Sequence, residues 1–121
     1  MEQLRVLLVD DEAELVYTVA ERLTLRGIEA VALTSGEDAL KILEKKKFDV
    51  VVVDVKMPGI GGIDLTKRIK ESYPDIRIIL LTGRGSKEDS AKGLSEGASD
   101  YLVKPIDIEV LIEKMEKAIQ S

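Results

Sequence analysis

Five short apolar runs punctuate the chain, and amphipathic stretches separate them. Residues 5–9, 49–53 and 76–81 are built around Val6-Leu7-Leu8-Val9, Val50-Val51-Val52-Val53 and Ile78-Ile79-Leu80-Leu81. Uninterrupted runs rich in β-branched residues suit strands covered on both faces of a parallel sheet. Residues 28–33 alternate only partly, as an edge strand would, and Tyr101-Leu102-Val103 forms a short last run. Residues 12–26 carry Leu15, Val16, Val19, Ala20 and Leu23 at helical spacing, and Gly27 fits a left-handed helix stop. Ser35 and Asp38 make a capping-box-like start for a helix reaching about Lys46. Residues 62–72 read as a helix with Ile63, Leu65, Thr66 and Ile69 inward, and Pro74 breaks the pattern. A weaker helix starts at Ser86 and runs to about Glu96, with Leu94 as its main apolar anchor, Gly93 inside it and Gly97 as its stop. Ile108, Leu111, Ile112, Met115 and Ile119 give the last helix an apolar stripe.

This is a (βα)5 alternation, with room between strands for right-handed helical crossovers. It predicts one doubly wound, flavodoxin-like α/β domain over residues 1–121, with a parallel five-stranded sheet. The alternation does not fix the strand order. The order 2-1-3-4-5 is expected for such a domain; in it strands 1 and 3 flank the switch point, and ligands bind outside the carboxyl ends there.

The residues that end the runs then matter. Asp10 and Asp11 follow the first run, Asp54 the third, Thr82 the fourth, and Lys104, preceding Pro105, the last. On one sheet edge they bring together three carboxylates, a hydroxyl and an ammonium. Crowded carboxylates repel, and a divalent cation relieves this; a hard oxygen site suits Mg2+, which keeps several of its waters. One carboxylate can then accept a phosphoryl group. Lys104 can neutralise the phosphoryl oxygens and Thr82 can donate to them, so the chemistry is mainly positioning and electrostatics. Taken singly, each residue has a plainer reading. Asp11 can cap the first helix while Asp10 faces the metal, Asp54 and Thr82 can be turn residues, and Lys104 a solvated charge.

Composition removes other options. With 45% hydrophobic and 34% charged residues, the chain has a globular profile. A net charge of −5 disfavours non-specific nucleic-acid binding. There is no cysteine and no histidine, which excludes thiol chemistry, imidazole bases and histidine–metal sites. No phosphate-binding Gly-rich loop and no nucleophile elbow occurs. The apolar runs are too short for a signal peptide or a membrane span, so a cytoplasmic protein is expected.

The sequence resembles the receiver domain of bacterial two-component response regulators. The resemblance rests on Val9-Asp10-Asp11-Glu12, on Asp54 through Gly62 with Met57-Pro58-Gly59 inside it, on Leu81-Thr82-Gly83, and on Gly97 through Pro105 with Tyr101 and Lys104-Pro105. It extends over essentially the whole chain. It implies that Asp54 is the phosphoacceptor, and that Asp10, Asp11, Asp54 and the Lys56 backbone carbonyl hold Mg2+ or Mn2+. It makes Thr82 the hydroxyl that senses the phosphoryl group, Lys104 its salt-bridge partner across a cis Lys104–Pro105 bond, and Tyr101 the aromatic that moves with Thr82. A histidine kinase or phosphotransfer protein would be the donor. The helix 4–strand 5–helix 5 face would engage an effector or a second copy. Gly83 stands where alanine is commoner in the family. Lys56 and Arg84 border the expected site, and their side chains are expected to shield a phosphoryl group from water. Two competing functions share parts of this logic. A Mg2+-dependent aspartyl-phosphate phosphohydrolase of the haloacid-dehalogenase type wants two aspartates with one residue between them, whereas Asp10 and Asp11 are adjacent, and usually a cap domain. A phosphorylation-independent scaffold has no need of the buried charges.

Overall fold

The computed structural model describes residues 3–83 and 87–120. In chain order the elements are β1 (Arg5–Val9), α1 (Ala13–Leu25), β2 (Glu29–Leu33), α2 (Gly36–Leu43), β3 (Val50–Asp54), α3 (Gly62–Ser72), β4 (Arg77–Thr82), α4 (Lys87–Ser95), β5 (Asp100–Val103) and α5 (Ile108–Gln120). All strand pairs are parallel, in the order β2-β1-β3-β4-β5. The expected doubly wound sheet is thus present, with β1 and β3 adjacent at the switch point.

The uninterrupted runs are explained by two cores. Strand side chains alternate between the faces of the sheet. Val6, Leu8, Val50, Val52, Ile79 and Leu81 pack on one side with Val16, Val19 and Leu23 of α1 and Leu111 and Met115 of α5. Leu7, Val9, Val51, Val53, Ile78 and Leu80 pack on the other with Ala39 and Leu43 of α2 and Leu65 and Ile69 of α3. β2 lies at one edge and is half-buried along its whole length.

Several boundaries and inward positions differ from expectation. Asp54 and Thr82 are the last residues of their strands, so the register, with Val9 opposite Val53 and Asp54 opposite Leu81, fixes their backbones directly. α2 ends at Leu43, short of Lys46. Its cap is as predicted, the Ser35 hydroxyl accepting from the Asp38 N–H at 3.2 Å. Ile63 is half-buried, while Leu65, Thr66 and Ile69 are buried as expected. In α4 the inward residues are Ser90 and Gly93, while Leu94 is exposed. The helix comes so close to the sheet that a Cβ on Gly93 would collide with Leu80, which leaves no room for a larger inward residue. In α5, Ala118 turns inward and Ile119 outward, because at 3.6 residues per turn Ala118, not Ile119, continues the Leu111–Met115 face. Ser86, the expected start of α4, lies outside the described residues.

Candidate functional site at the carboxyl edge of the sheet

The site is assembled by strand ends. β1 delivers Asp10, β3 Asp54, β4 Thr82, and the turn after β5 Lys104. The Lys104 N–H donates to the Thr82 carbonyl at 2.8 Å, and the Lys104–Pro105 peptide is cis. A close approach defines the floor. Gly62, the first residue of α3, lies so near the backbone of Asp54 and Val55 that a Cβ there would overlap the Asp54 carbonyl oxygen. Its N–H donates to the Val55 carbonyl at 2.9 Å, and the buried Thr66 hydroxyl donates to the Gly62 carbonyl at 2.8 Å.

Carboxylate oxygens of Asp10, Asp11 and Asp54 all lie within 4.8 Å of one another. Asp10 and Asp54 are buried at 1% and 7% exposure, whereas Asp11 faces solvent. Asp11 does not cap α1. The N-cap position belongs to Glu12, whose side chain makes no capping bond, and the Asp10 Oδ1 instead accepts from the Glu12 N–H at 2.9 Å. The Asp54 Oδ1 accepts weakly from the Lys56 N–H at 3.4 Å. The Lys56 side chain is exposed. Arg84, the other expected shielding cation, lies outside the described residues.

The Lys104 ammonium occupies the centre. Its Nζ is 2.9 Å from Asp10 Oδ2, 3.0 Å from Glu12 Oε1 and 3.4 Å from Asp54 Oδ2. Glu12 is a site residue that the sequence reading did not single out. Position gave the only signal, since it is the next acid after Asp10 and Asp11. Burial lowers the lysine's proton affinity, but its contacts with Asp10 and Glu12 and the charge of Asp54 outweigh this and hold its pKa above the ordinary value. Thr82 is buried at the end of β4. Tyr101 sits on edge strand β5 opposite Leu80, half-exposed, and Val103 lies opposite Thr82. By strand alternation Tyr101 and Thr82 share the sheet face that α4 covers.

Burial and the neighbouring Asp10 charge push the Asp54 carboxyl up from 3.8 to about 6, against the opposing pull of Lys104 and the Lys56 N–H. The folded state therefore holds this proton more tightly than the unfolded chain. Stability contributed by the protonated form is complete below pH 3.8 and lost as pH rises through about 6. An Asp54→Asn variant is accordingly expected to be more stable than wild type by about 3 kcal/mol at pH 7.5 without divalent cations, and no more stable at pH 4. Urea denaturation at the two pH values checks this; a variant no more stable at pH 7.5 would show that ionised Asp54 carries no net burial penalty.

The donor set fits a hard divalent cation. All its side-chain donors are carboxylate oxygens, and buried Asp10 Oδ2 has the Lys104 ammonium as its one described partner, at 2.9 Å. An oxygen in that position retains capacity to bind a cation. Among the described residues, no helix is long and apolar enough to cross a membrane.

Fold and site together define an α/β module with a cluster of three aspartates that could hold a cation at the switch point of its sheet. The chain belongs to the response regulator receiver domain family, whose model matches residues 6–116. Curated relatives include the heme response regulator HssR of Staphylococcus aureus, 36% identical over 94% of this chain and 50% of the relative. Another is the response regulator protein FleR of Pseudomonas aeruginosa, 38% identical over 90% of this chain and 23% of the relative. The chain thus spans half or less of these relatives. Among solved structures, a receiver domain protein from Clostridium thermocellum superimposes with a TM-score of 0.91 at 31% identity, covering 97% of this chain and 94% of that one. The chemotaxis protein CheY4 of Vibrio cholerae gives 0.90 at 31% identity, covering 97% and 99%.

Proposed function

We propose that this receiver domain, spanning residues 1–121, is a phosphorylation-controlled switch with Asp54 as phosphoacceptor. The observation that carries the reading is the meeting of Asp10, Asp11 and Asp54 oxygens within 4.8 Å beside the Lys104 ammonium. A carboxylate oxygen of Asp54 forms the new bond to phosphorus. The phosphorus–nitrogen bond of a donor phosphohistidine breaks, and the imidazole keeps the electron pair. Asp10, Asp11, Asp54 and the Lys56 backbone carbonyl would hold Mg2+ or Mn2+, which supplies charge neutralisation of the phosphoryl oxygens when bound. Lys104 neutralises a further oxygen and Thr82 donates a hydrogen bond to another.

A histidine kinase or phosphotransfer protein fits as donor, as for the response regulator family to which the chain belongs. The output face is α4–β5–α5. Leu94, Tyr101, Val103 and Val110 are each 37% to 42% exposed on these elements, which suits an effector or a second copy. α4 turns only Ser90 and Gly93 into the core, and an element so lightly anchored repacks at low free-energy cost. Titration with beryllofluoride, a phosphoryl mimic, tests the reading against the scaffold alternative. With Mg2+ present, the amide signals of Thr82, Tyr101 and Lys104 are expected to shift beyond their positions with Mg2+ alone. Unmoved signals at saturating beryllofluoride would overturn the switch.

A further inference from the structure

The three contacts of Lys104 are not equivalent. The shortest, to Asp10 Oδ2 at 2.9 Å, is an ion pair with a carboxylate buried inside the site. The contact to Asp54 is long, at 3.4 Å. The contact to Glu12 Oε1 at 3.0 Å has hydrogen-bond geometry. An ammonium has three donor hydrogens and no other binding capacity. The unmodified site therefore directs a Lys104 N–H at an acid outside the Asp10–Asp11–Asp54 set. The Glu12 side chain is 64% exposed and that of Lys104 20%. Glu12 stands at the mouth of the site, where a side chain can swing into water at little cost.

We infer that Glu12 is a positioning residue, a latch that holds the Lys104 ammonium in the unphosphorylated state and competes with the incoming phosphoryl oxygens for it. The inference rests on Asp54 as phosphoacceptor. When the phosphoryl group arrives, Lys104 exchanges the Glu12 carboxylate for a phosphoryl oxygen, so the latch opposes phosphorylation. Two effects of removing Glu12 have opposite sign. Loss of a tether frees the lysine for the phosphoryl group, and it also removes one restraint on the lysine's position. The first is larger, because Asp10 and Asp54 still flank the ammonium after Glu12 is gone. A half-exposed charge contact of this kind is worth up to about 1 kcal/mol, which corresponds to about a fivefold change.

Glu12→Gln should therefore speed phosphorylation by acetyl phosphate about two- to fivefold at fixed Mg2+ and tighten beryllofluoride binding by a similar factor. Two controls separate a latch from general relief of negative charge. Glu14→Gln, the same charge change on the exposed first turn of α1, should leave the rate unchanged. In a Lys104→Met background, Glu12→Gln should have no effect, because the group it holds is absent. The side-chain ammonium signal of Lys104 gives a readout independent of phosphorylation. It should be protected from exchange in the wild type and broadened by Glu12→Gln. An unchanged or slower rate in Glu12→Gln, or an acceleration that persists in the Lys104→Met background, would overturn the latch. If the wild type itself takes up no phosphoryl group at Asp54, the functional reading fails. If it does and Glu12→Gln changes nothing, only the latch fails.

Discussion

Replacing Lys104 with methionine is expected to destabilise the domain by about 3 kcal/mol at neutral pH without divalent cations. Methionine keeps much of the side chain's length and removes the charge. Asp10, 1% exposed, then loses the cation 2.9 Å from its Oδ2 and keeps only the Glu12 N–H on Oδ1. Leaving one partner of a buried ion pair unpaired costs about 3–5 kcal/mol. The lower end applies because Lys104 is partly solvated and because Asp54, already pushed up to about 6, can take a proton as relief. For a domain of this size the melting temperature should fall by about 10 °C. The deficit should shrink toward pH 5, where Asp54 carries less charge. Millimolar Mg2+ should restore much of the lost stability, because a ligand that binds only the folded state stabilises it. Wild type should gain less from the same Mg2+, since its lysine already neutralises the acids. Scanning calorimetry with and without Mg2+ measures both effects. Equal melting temperatures, or equal Mg2+ stabilisation in the two proteins, would show that Lys104 and the cation do not serve the same carboxylates.

Much of this arrangement was legible in the sequence, and physical reasons explain what was not. The runs around Val52 and Ile79 declared doubly covered strands because neither face of those strands meets water. Asp10, Asp11, Asp54, Thr82 and Lys104 could be placed on one edge because parallel strands end on the same side. Periodicity failed in α4, where packing is set by backbone approach. Gly93 against Leu80 does the work expected of a large side chain, and Leu94 is free to face outward. The position of Ile119 was misread because a stripe of apolar residues does not say which of two neighbours ends it. Asp11 looked like a helix cap from its residue type, but the helix begins one residue later and Asp10 takes the N–H of Glu12. Glu12 itself was invisible as a partner of Lys104. The two are 92 residues apart, and a surface glutamate gives no sequence signal of the lysine it meets.

The largest expected effect is the complete loss of phosphorylation on replacing Asp54 with asparagine. Asp54 ends the central strand β3, buried between the Asp10 carboxylate and the Lys104 ammonium. Asparagine has nearly the same shape but no anionic oxygen with which to attack phosphorus. Asp10 is the poorer acceptor, because its Oδ1 accepts from the Glu12 N–H and its Oδ2 lies 2.9 Å from the Lys104 ammonium. Asp11 is accessible, but it lies on the solvent side of the cluster with no described contact to Lys104. The decisive measurement is intact mass after incubation with acetyl phosphate and Mg2+. The account predicts one added phosphoryl group in the wild type, none when Mg2+ is chelated, and none in Asp54→Asn. An undiminished mass shift in the asparagine variant would contradict it.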